Sequence, residues 1–279
     1  MTDDFETHRP FLVGLAYRML GSVAEAEDAV QDAFLRWSAA DRAAIANPRA
    51  YLARVVSRLC LDRMKSAATR REQYVGTWLP EPLVAEPTEP LSDDLSIALL
   101  LTLERLSPLE RAAFPLHDVF DMDYAAIADT LERTETACRQ LAARAREHVR
   151  DNRPRFAATD GTRAKVTNAF QSALLTGDLT TLARMLADDA VLYSDGGGKK
   201  PAALNPIYGR EKIVRFFATI AEKGLLPAPE QMHPARINGL PGFIVRTGEG
   251  VETLAFEVAG DQILAIYGVR NPDKLRHLA

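Results

Sequence analysis

The sequence predicts a multidomain chain: two all-α modules, then an α+β domain built on an antiparallel sheet. Three observations carry this. Residues 1–70 and 93–153 are helical blocks rich in Ala, Leu, Val and Arg. Residues 71–92, REQYVGTWLPEPLVAEPTEPLS, hold four prolines and several acids and read as a linker. Within 160–279 helices come first, and β-branched runs separated by glycine turns follow.

In the first block, Ser22 and Glu25 form an S-x-x-E capping box that starts a helix at Val23. Helical spacing puts Ala26, Val30, Ala33, Phe34 and Trp37 in one stripe and Glu25, Asp28 and Asp32 in another. The acidic stripe is either a solvated face or a docking surface for a basic partner. Asn47 as N-cap and Pro48 at the first position open the next helix. Its core stripe is Leu52, Val55, Val56, Leu59 and Cys60, while Tyr51, Arg54, Arg58 and Lys65 share a separate face. Cations neutralise phosphates and an exposed aromatic stacks on an unpaired base, so this face suits nucleic acid.

In the second block, Ser107, Pro108 and Glu110 make another capping box. DYAAIADTL, ERT and ETACRQLAARAREHV then read as helix, turn and helix. Ile127, Ala128 and Leu131 face inward from the first, and Cys138, Leu141, Ala145 and Val149 from the second. Glu135, Thr136, Arg139 and Gln140 point outward from the half of a recognition helix that meets base edges. Arg139 suits guanine, Gln140 suits adenine, and Arg144 and Arg146 suit phosphates. A plain three-helix bundle is the alternative.

The third part reads as a helix, a strand through Val191–Tyr193, and a glycine loop at Gly196–Gly198. The loop is not a phosphate loop, since Tyr193 and Lys200 stand where the Walker pattern needs Gly and Ser or Thr. A tight turn with unusual backbone angles is expected there. Strands at 242–247, 251–258 and 262–269 form a meander. In the middle one Leu254, Phe256 and Val258 share one face and Thr253, Ala255 and Glu257 the other, as in a half-buried strand. His233, between Met232 and Pro234, reads as a loop residue.

Composition narrows the classes. The chain has 279 residues, 47% hydrophobic and 26% charged, which excludes collagen, general disorder and a disulfide scaffold. The most apolar stretch, Ile97–Leu103, is far short of the ~18–20 residues that span a bilayer. The N-terminus is acidic with no apolar run, so no signal peptide is expected. Cys60 and Cys138 lie on apolar helix faces and are expected as buried free thiols in a reducing cytoplasm. The net charge of −4 argues against a domain that grips nucleic acid unaided.

LAYRMLGSVAEAEDAVQDAFLRW, NPRAYLARVVSRLCLDRMKS and LSPLERAAFPLHDVFDMDYAAIADTLERTETACRQLAARAREHV closely resemble regions 2 and 4 of extracytoplasmic-function (ECF) sigma factors. WLPEP in the linker, LADDAVLYSDGGGK and NPDKL resemble the SigJ-like subgroup, whose members carry a fused SnoaL-like domain. The resemblance implies an RNA polymerase sigma factor and not an enzyme, tuned in cis by the C-terminal domain. It implies a region 2 helical bundle over 1–70, a linker over 71–92, a region 4 helix-turn-helix over 93–153, and a SnoaL-like cone with a curved antiparallel sheet over 160–279. Asp28, Gln31 and Asp32 would dock on core RNA polymerase. Tyr51, Arg54, Arg58 and Lys65 would take the opened −10 promoter strand, and Thr134, Glu135, Thr136, Arg139, Gln140 and Arg144 the −35 element. An acidic chain is then tolerable, because polymerase supplies most phosphate contacts. Relatives usually have Gly in the turn where Glu132 stands, and a left-handed residue other than Gly costs roughly 1 kcal/mol.

The same resemblance gives the C-terminal domain a regulatory role. Trp78 and Leu79 are large apolar residues in a polar linker and should seek a pocket. Pro80 and Pro82, flanking Glu81, keep the segment extended. The expected holders are the loop Asp195, Gly196, Gly197, Gly198 and Lys199 and the tail Asn271, Pro272, Asp273 and Lys274. An unknown small ligand in the cone is a possible partner. Asp195, His233 and Asp261 are its polar candidates, and nothing in the sequence places them together. No cofactor, metal or membrane is expected. A SnoaL-type enzyme and an autonomous helix-turn-helix regulator are the competing readings. The first lacks a clear acid–base pair, and the second lacks a dimer seam and a basic DNA face.

Overall fold

The computed structural model describes residues 3–72, 74–85, 95–151 and 159–278. Residue 73 and residues 86–92 of the expected linker, and the expected boundaries at 93 and 153, lie outside these. The chain divides into two compact units: Met1–Gln73 with Ala98–Arg153, and Tyr74–Ile97 with Pro154–Ala279.

The first unit is helical. Its first part holds α1 (Asp3–Leu20), α2 (Val23–Ala39) and α3 (Pro48–Glu72). Ser22 Oγ accepts the Glu25 N–H at 3.1 Å, and Asn47 Oδ1 accepts that of Ala50 at 3.0 Å, so both predicted N-caps are in place. Ala26, Val30, Ala33 and Trp37 are buried, as are Leu52, Val55, Val56 and Cys60. Phe34 and Leu59 are half-buried. Burial pushes the Cys60 thiol up to about 12.

The second part of this unit holds α4 (Ile97–Glu104), α5 (Pro108–Phe114), a π-helical turn at Pro115–Val119, α6 (Tyr124–Leu131) and α7 (Glu135–Asp151). The Ser107–Glu110 capping box is complete. Glu132 ends α6 in the left-handed conformation, φ 54° and ψ 50°. Phe120 joins the two parts. Its ring stands edge-on to Phe11 with centroids 4.7 Å apart, and its carbonyl accepts from Arg49 at 3.1 Å. Arg111, 1% exposed, pairs with Glu104 and donates to the Arg18 carbonyl at the end of α1.

The second unit is α+β. It holds β1 (Val84–Ala85), α8 (Asp160–Thr176), α9 (Leu179–Met185), β2 (Leu186–Asp195), β3 (Ile207–Tyr208) and α10 (Arg210–Glu222). Strands β4 (Met232–Ile237), β5 (Leu240–Thr247), β6 (Gly250–Ala259) and β7 (Gln262–Val269) complete it. The strand order is β1-β4-β5-β6-β7-β2-β3. All described pairs are antiparallel except β2–β7. The core joins helices to one face of the sheet through Phe170, Phe217, Phe243 and Phe256.

Two expectations are corrected here. Met232–Pro234 is not a loop but the start of β4. Pro234 pairs with Phe243 of β5, and among the described residues β1 meets β4 at Arg236 and Ile237, so no described partner there calls for the N–H that proline lacks. Strand β6 is not half-exposed: Thr253 and Ala255 on its second face are 2% and 1% exposed. The C-terminal tail packs on this strand.

Candidate functional site

The acidic face of α2 splits in two. Asp28 and Gln31 are exposed. Asp32 is held by Arg63 of α3 at 2.6 Å, and the same guanidinium donates to the Glu25 carbonyl at 2.9 Å. Leu35, 59% exposed, lies one turn beyond Gln31 and adds an apolar element that the polar pattern did not mark.

On α3, Tyr51 is half-buried with its ring 5.9 Å from that of Trp37. Arg54 lies 3.8 Å from Asp129, Arg58 lies 2.6 Å from Glu132, and Lys65 pairs with Asp62 at 2.9 Å. On the helix-turn-helix, Thr134 Oγ1 accepts the Ala137 N–H at 3.2 Å and caps α7. Thr134, Glu135, Thr136, Arg139, Gln140 and Arg144 are all exposed. Arg139 pairs with Glu135 at 2.8 Å and lies over the Tyr124 ring. Arg144 bonds Glu110 at 2.6 Å, tying the recognition helix to the α5 cap. Arg146 is committed internally to Asp118, Tyr124 and His117, and the Asp118 bond raises its pKa. Every cation singled out for DNA has a carboxylate neighbour in the chain.

The linker segment lies on the second unit, and Asp195 is the hub. Its carboxylate, fully buried, accepts from Tyr74 Oη at 2.5 Å, the Leu79 N–H at 2.8 Å, the Gly197 N–H at 3.0 Å and Lys274 Nζ at 2.7 Å. Lys274 Nζ also donates to the Leu79 carbonyl and stands 4.4 Å from the Trp78 ring centroid. Asn271 Nδ2 donates to Tyr74 Oη at 2.8 Å. Burial and the bond to Asp195 push the Tyr74 phenol well above its usual range. Leu79, Pro80, Glu81 and Pro82 are buried and Trp78 is half-buried.

The loop and tail are shaped for this. Gly197 and Gly198 have φ of 58° and 71°, and a Cβ on Gly197 would meet Asn271 Nδ2 at 2.2 Å. A Cβ on Gly196 would meet the Lys200 carbonyl at 2.1 Å. Lys199 pairs with Asp273, which also takes Arg276 at 2.7 Å; these two hold the Asp273 carboxyl below its usual range. Pro272 is exposed. Asp195 is thus a structural hub, while His233 and Asp261 are exposed on β4 and the β6–β7 turn, so the three do not converge.

Sequence reading missed Tyr74, Asn238 and His277. His277 Nε2 lies 2.9 Å from the Pro82 carbonyl. Asn238, fully buried with φ 51°, accepts the Leu83 N–H at 3.0 Å and donates to the Leu95 carbonyl at 3.0 Å. Asn238-Gly239 between apolar residues is a hairpin signal that could have revealed β4–β5. Its hold on the linker leaves no mark in local sequence.

The chain matches the Sigma-70 region 2 family over residues 5–70 and the Sigma-70 region 4 family over 96–149. It is 40% identical to the ECF RNA polymerase sigma factor SigJ of Mycobacterium tuberculosis, across 97% of this chain and 92% of that one. It is 41% identical to a probable ECF sigma factor, SigI, of the same species, across 65% of each chain. The crystal structure of SigJ superposes with a TM-score of 0.82 at 36% identity, covering 99% and 98% of the two chains. With regions 2 and 4 in order, and likeness to one relative running nearly end to end, the chain belongs to the extracytoplasmic-function sigma factors of RNA polymerase.

Proposed function

We propose that this sigma factor directs initiation with core RNA polymerase, and that its C-terminal α+β unit restrains it by holding the linker. The Asp195–Lys274 pair, closed over the backbone of Leu79, carries the reading. The −35 and −10 elements are named for positions about 25 base pairs apart, roughly 85 Å of duplex at 3.4 Å per pair. Regions 2 and 4 share one compact unit, so they must part to meet both. A linker fastened at Tyr74, Leu79, Pro82 and Leu83 resists that parting. Loosening the clamp therefore favours initiation.

Asp28 and Gln31 on α2 are the proposed polymerase contacts, with Asp32 fixing α2 on α3. Tyr51, Arg54, Arg58 and Lys65 would face the −10 strand, and the outer face of α7 the −35 duplex. The factor would work in the cytoplasm, where polymerase is. The buried polar groups that converge in the C-terminal unit, at Asp195, hold the linker, which favours a regulatory role over a catalytic one. Asp28→Lys with Gln31→Lys should abolish co-purification with core polymerase while the purified variant keeps its helical content. Undiminished co-purification would refute the docking assignment.

A further inference from the structure

We propose that Asp129 and Glu132 of the helix-turn-helix stand in for DNA phosphates on α3, keeping Arg54 and Arg58 occupied until the helix-turn-helix moves away. The proposal rests on the reading that these arginines face the promoter strand. Asp129 lies near the end of α6 and Glu132 in the turn that follows, three residues on; Glu132 hydrogen-bonds Arg58 at 2.6 Å and Asp129 lies 3.8 Å from Arg54, an ion-pair distance only, on arginines four residues apart on α3. A guanidinium fork takes a carboxylate and a phosphate by the same geometry.

Glu132 makes the tighter of the two contacts. It is held at φ 54°, in the left-handed region where a side chain is strained and glycine is not. Helices commonly end on a left-handed residue, and glycine is the usual choice, so the departure at the α6 C-cap is the carboxylate side chain. Here the carboxylate reaches Arg58 at 2.6 Å. The pair gains little stability, because both side chains are largely exposed, at 45% and 71%. What it changes is the availability of the cation. The surrounding packing supports the contact: Phe120 between Phe11 and Arg18, and Arg49 on the Phe120 carbonyl, hold α6 and its turn against α3. The two carboxylates also lower the charge of the face that DNA must approach, in line with a net charge of −4.

The test is binding of a mixed-sequence single-stranded deoxyoligonucleotide of about 12 nucleotides to the full chain over a salt series. Each phosphate contact on single strands contributes ~0.7 to the slope of log K against log salt, roughly eightfold at 50 mM relative to 1 M. Asp129→Asn with Glu132→Gln should bind at least roughly fivefold tighter at 50 mM salt, with a slope steeper by ~0.7–1.4. Glu132→Gly, which removes strain as well as charge, should reproduce the Glu132 share of that gain with an unchanged or higher melting temperature. Glu27→Gln with Glu147→Gln matches the charge change elsewhere and should do much less. Unchanged affinity in the double variant, an unchanged slope, or an equal gain in the Glu27/Glu147 control would overturn the proposal. Arg54→Ala with Arg58→Ala separates the two claims. If it weakens wild-type binding while the carboxylate variants gain nothing, the latch is wrong. If it has no effect in either background, the promoter-facing reading of α3 is wrong.

Discussion

Asp195 takes four donors on one buried carboxylate, and two of them come from the linker. Removing one member of such a pair leaves the other a buried charge without its counter-charge. Asp195→Ala should therefore lower the stability of the second unit by about 3–5 kcal/mol in urea melts. Glu257 behaves oppositely. It is half-buried beside Tyr267, which donates to it at 2.6 Å, yet its desolvation outweighs that bond and raises its pKa. Its favourable state is the protonated one, so its contribution is full below the unfolded carboxyl pKa and is lost as pH rises through the folded value. Glu257→Gln should melt higher than wild type at neutral pH and equally below pH ~4. A constant difference across that range would contradict the assignment. The chain marked Asp195 as a holder of the linker but not as a buried carboxylate with four donors, and it gave no sign of the surroundings of Glu257. Asp195 stands in a turn-like SDGGG run, and Glu257 alternates with apolar neighbours as a solvent-facing residue would.

The helices were legible because their signals are local. Ser22, Asn47 and Ser107 cap within three or four residues of themselves, and the apolar stripes of α6 and α7 repeat at helical spacing. The α5 cap extends further than its sequence suggests, since Glu110 bonds both Ser107 and Arg144 of the recognition helix. Ser107→Ala should cost about 1 kcal/mol of stability, measured by chemical denaturation. The non-local parts were hidden. β1 is a strand only because Val84 and Ala85 find β4, and β4 is concealed by His233 and Pro234. The DGGGK and NPDKL segments were visible as partners of the linker, whereas Tyr74, Asn238 and His277 became so only when 121 to 195 residues of separation closed up in space.

At the scale of the molecule, the two proposals give one machine two controls: a clamp on the linker that would govern whether regions 2 and 4 can part, and the Asp129–Glu132 pair that would govern whether α3 offers its charge. Both follow from carboxylates that hold cations or backbone inside the chain. They account for an acidic protein that nevertheless works on DNA. Allosteric couplings of ~1–3 kcal/mol correspond to roughly 5- to 150-fold changes in function. The direct measurement is run-off transcription with core RNA polymerase from a promoter the factor serves, comparing the full chain with Lys274→Met and with Asp195→Asn. The clamp predicts at least roughly fivefold more transcript from both variants at equal occupancy of core. Equal or lower output from both would contradict it.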